Sequence, residues 1–314
     1  ESLIRGFLVR NRQHKLNEAK EKRSAISNSF ISQNLNKSIN YLGGENVIKI
    51  DDPKQTPFLY KDNIRRHFRK IDIEMGTKSF EGEWINGKRD GFGILKWKDG
   101  SMFKGYFMND MANGLGQQNH KGGEIYFGQW VNDRAEGLGH FINLNGCRYD
   151  GEWKGDKQQG FGTETWSKGS IYRGDFSNSM KHGKGVLTLE DGSEFQGEFL
   201  NNEIDGLGTF NYYDGKKYTG EWKGNKMHGL GILIYAEGKS YEGAFEEDMK
   251  HGFGIYKNGA KTYIGIWNSN KLEGEALIIE GGKMKNSFWK DGKRDGYLDK
   301  ESNYEAIART MINN

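Results

Sequence analysis

The residues able to do chemistry in this 314-residue chain recur at a fixed interval. His182, His228 and His251 each stand directly before a glycine, and a neutral imidazole can serve as general base or metal ligand. Asp90, Asn113, Glu136, Gln159, Asp205 and Glu273 take the same place elsewhere. Acid, amide and imidazole share no single reaction, so the position reads as a solvated turn site. Glu83, Glu152, Glu198 and Glu221 recur between pairs of rings and alternate to the opposite face, where carboxylates solubilise a sheet. The Gly-x-Gly pairs are not phosphate cradles, because no helix N-terminus follows them. Cys147 has no histidine in its motif to lower its pKa and reads as a surface thiol. The expectation is a protein with no catalytic residues, no cofactor and no metal.

Composition narrows the class further. Apolar residues make up 34% of the chain, glycine is abundant at 46 residues and proline occurs twice. Aromatics, at 13%, must therefore carry most of the burial in a thin structure with one apolar layer. One cysteine excludes an internal disulfide framework and a four-cysteine zinc site, so a reducing compartment is expected. No apolar run approaches a membrane span. Residues 1–79 hold 16 Lys/Arg against 9 Asp/Glu, whereas residues 80–314 hold 30 against 34. Interleaved rings and lysines can stack bases, but a mildly acidic body opposes a phosphate polymer. Nucleic acid is not the expected partner.

The elements that position these residues follow from a 23-residue repeat. Aromatic residues open successive units at Phe80, Phe103, Tyr126, Tyr149, Tyr172, Phe195, Tyr218 and Tyr241, then Tyr263 after 22, while Lys285 fills the place in a degraded tenth unit. A second ring follows four residues later, as at Trp84, Trp130, Trp153, Trp222, Trp267 and Trp289. Glycine lies between the two, as at Gly82, Gly151 and Gly220, and a Gly-x-Gly pair follows, as at Gly91/Gly93 and Gly160/Gly162.

In Tyr149-Asp150-Gly151-Glu152-Trp153 the ring, glycine and ring share one strand face, leaving a slot over the glycine where a neighbouring ring can lie. Segments such as Asn86-Gly87-Lys88-Arg89 turn the chain, the Gly-x-Gly pair opens the returning strand, and Asp99-Gly100 leads into the next unit. Each unit is one hairpin, unstable alone, and stacking buries a continuous aromatic ladder. Trp84, Trp130, Trp153, Trp222 and Trp267, with Gly82, Gly151 and Gly220, are the expected repeat core.

Tyr-x-Gly-x-Trp, with Gly-x-Gly seven residues after the tryptophan, resembles the MORN repeat (membrane occupation and recognition nexus) across residues 80–298. The resemblance implies an all-β, elongated, twisted, single-layer antiparallel sheet with a groove along one face. About twenty strands at ~4.8 Å would extend roughly 90 Å before twist.

Outside the array, residues 1–24 read as a basic helix. Its Arg5-Gly6-Phe7-Leu8-Val9-Arg10 resembles half of an IQ motif, which implies a calmodulin-like or dynein-type light chain on Arg5, Gly6 and Arg10. Glu1 stands in the usual glutamine place and Gln13 where an apolar residue is common. Residues 25–79 read as a linker or extended arm followed by a basic amphipathic helix from Asp62 to Ile71. Ile64, Phe68 and Ile71 form its stripe beside Arg65, Arg66, Arg69 and Lys70. That helix either caps the first hairpin or docks on an acidic surface. Residues 299–314 read as a capping helix on the last hairpin, opened by the box Ser302-Asn303-Tyr304-Glu305, with Tyr304, Ile307, Ala308 and Met311 on one face.

Such a chain is expected to be a structural scaffold that docks other proteins. MORN arrays without an enzyme domain resemble radial-spoke head and other axonemal proteins of cilia, or cytoskeletal scaffolds. The alternative is a peripheral membrane module whose basic leader meets anionic phospholipid. Candidate partner-binding residues are Arg65, Arg66 and Arg69, together with the outer-face row Glu83, Gln129, Glu152, Glu198 and Glu221.

Overall fold

A computed structural model describes residues 67–74, 76–300 and 302–312. The chain divides into two units, Glu1–Asn63 and Ile64–Asn314, and the described residues belong to the second. They form one 21-stranded sheet in which every strand pairs antiparallel with its neighbours in sequence. A lone strand, His67–Ile73, precedes ten hairpins. The first joins Lys78–Ile85 to Lys88–Trp97, and the last joins Lys283–Lys290 to Lys293–Leu298.

Two-residue turns close the hairpins. Asn86-Gly87, Asn109-Asp110 and Asn201-Asn202 have positive φ at both places, the twist that suits paired strands and that Asn, Asp and Gly tolerate best. The turn is therefore shorter than Asn86–Arg89. Lys88 already pairs with Ile85, so the Gly-x-Gly pair lies within the returning strand rather than opening it. The links between the first eight hairpins are longer loops, as where Trp97 N–H donates to Ser101 O at 3.0 Å, with Gly100 at φ +94°. The last two links are two-residue turns at 259–260 and 281–282.

Register puts the ring-associated glycines directly opposite one another. The row runs unbroken from Gly82 through Gly93, Gly105 and onward to Gly265, seventeen glycines on seventeen strands. Into this bare trench each opening ring from Phe80 to Tyr241 lies down over its own glycine and the one across from it. A Cβ built on Gly162 would stand 2.6 Å from Tyr149 Oη. The occupant of the slot is thus the unit's own ring, two residues back, rather than a neighbour's.

The second rings fill the gaps between the first. Seventeen rings from Trp84 to Trp267 contact edge to face without a break, at centroid distances of 4.9–5.5 Å and interplanar angles of 80–89°. That geometry matches the positive ring edge to the negative face and adds about 0.5–1.5 kcal/mol per pair to simple burial. Phe80, Tyr172, Phe195, Tyr218 and Tyr241 are fully buried in it.

The amphipathic helix read for Asp62–Ile71 is overturned where the structure describes it. His67–Ile73 is a strand, with Arg69 opposite Gly82 and Ile71 opposite Phe80. A strand places Phe68 and Ile71 on opposite faces, so the apolar stripe splits, and Phe68 is 67% exposed. Backbone donors on the first hairpin's edge outweigh the local helical pattern. Arg65, Arg66 and the leader helix with Arg5, Gly6 and Arg10 lie outside the described residues.

The C-terminal helix α1 (Glu305–Ile312) forms and packs on the face away from the rings, with Ala308 against Ile264 and Leu277, and Tyr304 stacked on Phe253 at 6.0 Å. Its apolar face covers the strands Met249–Asn258, Lys261–Asn268 and Lys271–Glu280 instead of the last hairpin, because the large apolar side chains of this sheet face lie there. Asn286 Nδ2 holds its first turn, donating to Lys300 O and Glu305 Oε1, each at 2.7 Å. Ser302 Oγ is buried without a partner, so its side chain does not complete the capping box.

Candidate docking surfaces

The outer-face acids have internal work. The first nine hairpins carry a bulge just after the ring-row glycine, as between Gly82 and Trp84 or Gly151 and Trp153. The bulged residue turns its side chain across to the other strand. Glu83 accepts from Phe92 N–H at 2.7 Å, Gln129 from Leu138 at 2.8 Å, Glu152 from Phe161 at 3.1 Å and Glu198 from Leu207 at 2.8 Å. The first glycine of each Gly-x-Gly pair makes room. Gly160 has φ +64°, and a Cβ there would lie 2.6 Å from Glu152 Oε2; Glu221 lies over Gly229 in the same way. Glu83, Gln129, Glu152 and Glu198 thus lock their bulges.

Polar atoms on the ring face are also committed. The hydroxyls of Tyr126, Tyr149, Tyr172, Tyr218 and Tyr241 donate to the carbonyl three residues on, at 2.9–3.1 Å. Burial pushes all five phenols well above the usual phenol range, and for most of them nearby carboxylates add to it. Nε1 of Trp130, Trp153, Trp222 and Trp267 donates to a carbonyl of the glycine row at 3.0–3.3 Å. Trp84, preceded by a lone strand instead of a hairpin, leaves its Nε1–H buried and unpartnered. Farther along, the Lys250 ammonium lies among Tyr235, Tyr241, Tyr256 and Trp267 at 4.5–5.5 Å, and burial lowers its pKa.

Two features escaped the sequence reading. One is a clip between successive hairpins. From Asp110 to Asp248 the second turn residue accepts from a backbone N–H 21 residues earlier: Asp133 from Ala112 at 2.6 Å, Asp156 from Ala135 at 2.8 Å, Asn225 from Ile204 at 2.8 Å. In return, the residue before the Gly-x-Gly pair accepts from the next turn, as Glu136 does from Gly155 N–H at 2.9 Å. The position that carries His182 and His228 is therefore half-buried and structural, and their Nδ1 atoms lack partners. The signal was an Asp, Asn or Ser every 23 residues from Asp110 to Asp248.

The second feature is the middle residue of the Gly-x-Gly pairs: Phe92, Leu115, Leu138, Phe161, Leu207, Leu230 and Phe253, with Lys184 as the one interruption in eight. They form an apolar row across the outer face. Helix α1 covers Phe253, whereas Leu138 and Leu207 are exposed by 36% and 48%.

An open sheet of tandem hairpins, stacked on a glycine row and an aromatic ladder, is a repeat architecture without an enclosed core. The MORN repeat family matches residues 80–102, 126–148, 149–171, 172–194, 195–217, 218–240, 241–260 and 287–297. The chain belongs to that family. Residues 103–125 fall outside the match, yet Met102–Met108 and Met111–Asn119 form the same bulged hairpin. MORN repeats typically mediate protein or membrane interactions. Comparison with curated proteins found no match.

Among solved structures, the chain is similar to the SAS-4 (dCPAP) TCP domain of Drosophila melanogaster in complex with a proline-rich motif of Ana2, at 14% identity and TM-score 0.31, over 55% of this chain and 86% of that one. It is also similar to the E1021V mutant of the TCP10 domain of Danio rerio CPAP, at 10% identity and TM-score 0.35, over 74% and 99%. Neither likeness is close enough to argue from. Among the described residues no helix is long and apolar enough to cross a membrane.

Proposed function

We propose that this protein is a non-catalytic scaffold that seats amphipathic helices of partner proteins along the apolar row of its outer face, within a ciliary or cytoskeletal assembly. The observation that carries the reading is the chain's own helix α1. It already occupies one end of that row, with Tyr304 on Phe253 and Ala308 between Ile264 and Leu277. Leu230, Leu207, Phe161 and Leu138 continue the row at hairpin intervals. Two strand spacings, roughly 9.6 Å, separate neighbouring members, and Lys184 breaks the row between Phe161 and Leu207. A helix brings anchors at i, i+3, i+4 and i+7 to such a surface, and several weak anchors act together.

The test is partner recovery from ciliated or cytoskeleton-rich extracts by the full chain and by a Leu138→Glu, Leu207→Glu variant. Selective loss of the same partners from the variant, with its melting unchanged, supports the reading. Unchanged recovery removes the outer face from it. A second arm adds anionic vesicles. Vesicle binding that vanishes when Arg65, Arg66 and Arg69 become glutamate would favour the peripheral membrane module instead.

A further inference from the structure

The aromatic ladder stops short of the sheet's end, and the way it stops leaves a hollow. In the ninth hairpin Ala276 stands in the glycine row. A Cβ at Gly265 would meet the Ala276 methyl at 2.9 Å and Leu272 Cδ1 at 3.0 Å, so side chains fill the slot that elsewhere receives a ring. Tyr263, turned out of the row, meets Trp289 edge-on at 6.0 Å. The next ring position holds Lys285, which is exposed. Tyr263, Ile278, Trp289 and Tyr297 line a cavity of about 390 Å³ where the next rung would lie.

Its rim is cationic, against the acidic trend of the repeat body. Lys261, Lys283, Lys285 and Arg294 border it, with Glu280 as its one carboxylate, and Glu280 pairs with Lys261 at 3.3 Å. Among the described residues, no carboxylate pairs with Lys283, Lys285 or Arg294. Lys285 and Arg294 lie over the Tyr297 ring at 5.2 and 4.3 Å instead. Elsewhere on this face Arg89 has Asp110 at 3.4 Å and Lys181 has Glu164 at 2.6 Å, whereas Lys250 is buried among rings and its pKa is lowered. A half-aromatic hollow with unmatched positive charge selects an anionic ligand with a flat apolar body.

We propose that this hollow is a binding site for an acidic peptide segment of a partner, and that one aromatic side chain of that segment enters as the ladder's missing rung. Backbone and flanking carboxylates meet Lys283, Lys285 and Arg294, while the ring packs against Tyr263 and Trp289. The site lies on the face opposite the apolar row, so it goes beyond the helix-docking reading.

The experiment is fluorescence anisotropy on the full chain with a labelled acidic heptapeptide bearing one central phenylalanine. The same peptide with alanine in its place and a lysine-rich phenylalanine peptide serve as comparisons. Saturable binding of the first, about tenfold tighter than the second and absent for the third, is expected, with a shift in Trp289 emission. Lys285→Glu combined with Arg294→Glu should abolish it and leave the melting temperature unchanged. Equal affinity for the phenylalanine and alanine peptides, or binding that survives the charge reversal, overturns the proposal. So does failure of the phenylalanine peptide to bind. Phosphatidylserine vesicles that bind through Lys285 and Arg294 in place of the peptide assign the hollow to lipid headgroups and overturn it too. If the peptide fails while the Leu138→Glu, Leu207→Glu variant still loses partners, this site falls and the scaffold stands.

Discussion

Replacing Gly151 with alanine adds a methyl group where the sheet has no space for one. Its Cβ would lie 2.5 Å from Tyr149 Oη, 2.7 Å from Tyr149 Cζ and 2.7 Å from Gly162 Cα. The glycine Cα belongs to a paired strand and cannot retreat, so the ring must leave its slot. Leaving breaks the 3.0 Å hydrogen bond to Glu152 O, worth about 1 kcal/mol. It also breaks the edge contacts to Trp153 at 5.3 Å and Phe176 at 4.9 Å, worth about 0.5–1.5 kcal/mol each. Alanine recovers roughly 0.5 kcal/mol of backbone entropy in the unfolded chain. The net loss is then about 1.5–3.5 kcal/mol, close to the roughly 1–3 kcal/mol usual for an overfilled core. Valine should lose more. Thermal unfolding of the full chain, followed by near-ultraviolet circular dichroism, reads this as a fall of about 5–12 °C. Gly220→Ala should behave alike. Gly122→Ala is the control, since its Cβ would meet only Leu144 Cδ1, at 3.8 Å. If Gly151→Ala and Gly220→Ala melt with Gly122→Ala, the ring-in-slot account is wrong.

Asn225→Gly keeps a residue able to hold φ +67° and deletes only the amide that accepts from Ile204 N–H; urea unfolding should show a loss of about 0.5–1.5 kcal/mol. Glu152→Ala strands the Phe161 N–H at its bulge and should cost about 1–2 kcal/mol, with faster amide exchange at Phe161 by NMR. Because burial raises the five ladder tyrosines, the unfolded chain loses its phenolic protons first. The stability they contribute is full below about pH 10, the unfolded phenol value, and falls as pH rises past it. Melting temperatures across that range should drop, less steeply in Tyr172→Phe. Trp222, 6% exposed, should resist iodide quenching, and Trp222→Ala should cost about 3–5 kcal/mol.

The hairpins and the aromatic ladder could be read before any coordinates, because ring, glycine and ring at two-residue spacing share one strand face. The two-residue turn, the register it sets and the ring that fills each slot could not. Phe80–Gly82–Trp84 and its copies lie as that spacing requires. Reading stopped where one residue type serves two purposes. Glu152 looks like a solvated carboxylate in sequence, and only the bulge shows it reaching Phe161. The Lys70–Ile71 region has a helical pattern, but the free edge at Gly82 draws it into a strand. His182 matched a variable surface site, yet its neighbours in that place hold the next turn. The cationic hollow was half visible, as Lys285 in a ring's position. That the change would open a space depended on Ala276 and Leu272 filling the trench first.

The clip between hairpins has a direction. Asp133 secures the strand of Ala112, Asp156 that of Ala135, and Asn225 that of Ile204; from Asp110 to Asp248 the side chain that latches the returning strand comes from the later unit. A chain emerging from the ribosome therefore finishes each hairpin about one repeat after making it, as the following turn arrives to latch what is already outside. Assembly proceeds like a closing zip that trails synthesis by a constant distance, and growth adds one kind of junction over and over. Duplicating or deleting a whole 23-residue block leaves every remaining junction with its proper latch. Cutting within a block leaves one donor without its acceptor. Evolution can thus lengthen or shorten this plank in whole units, and the length itself becomes the inherited variable.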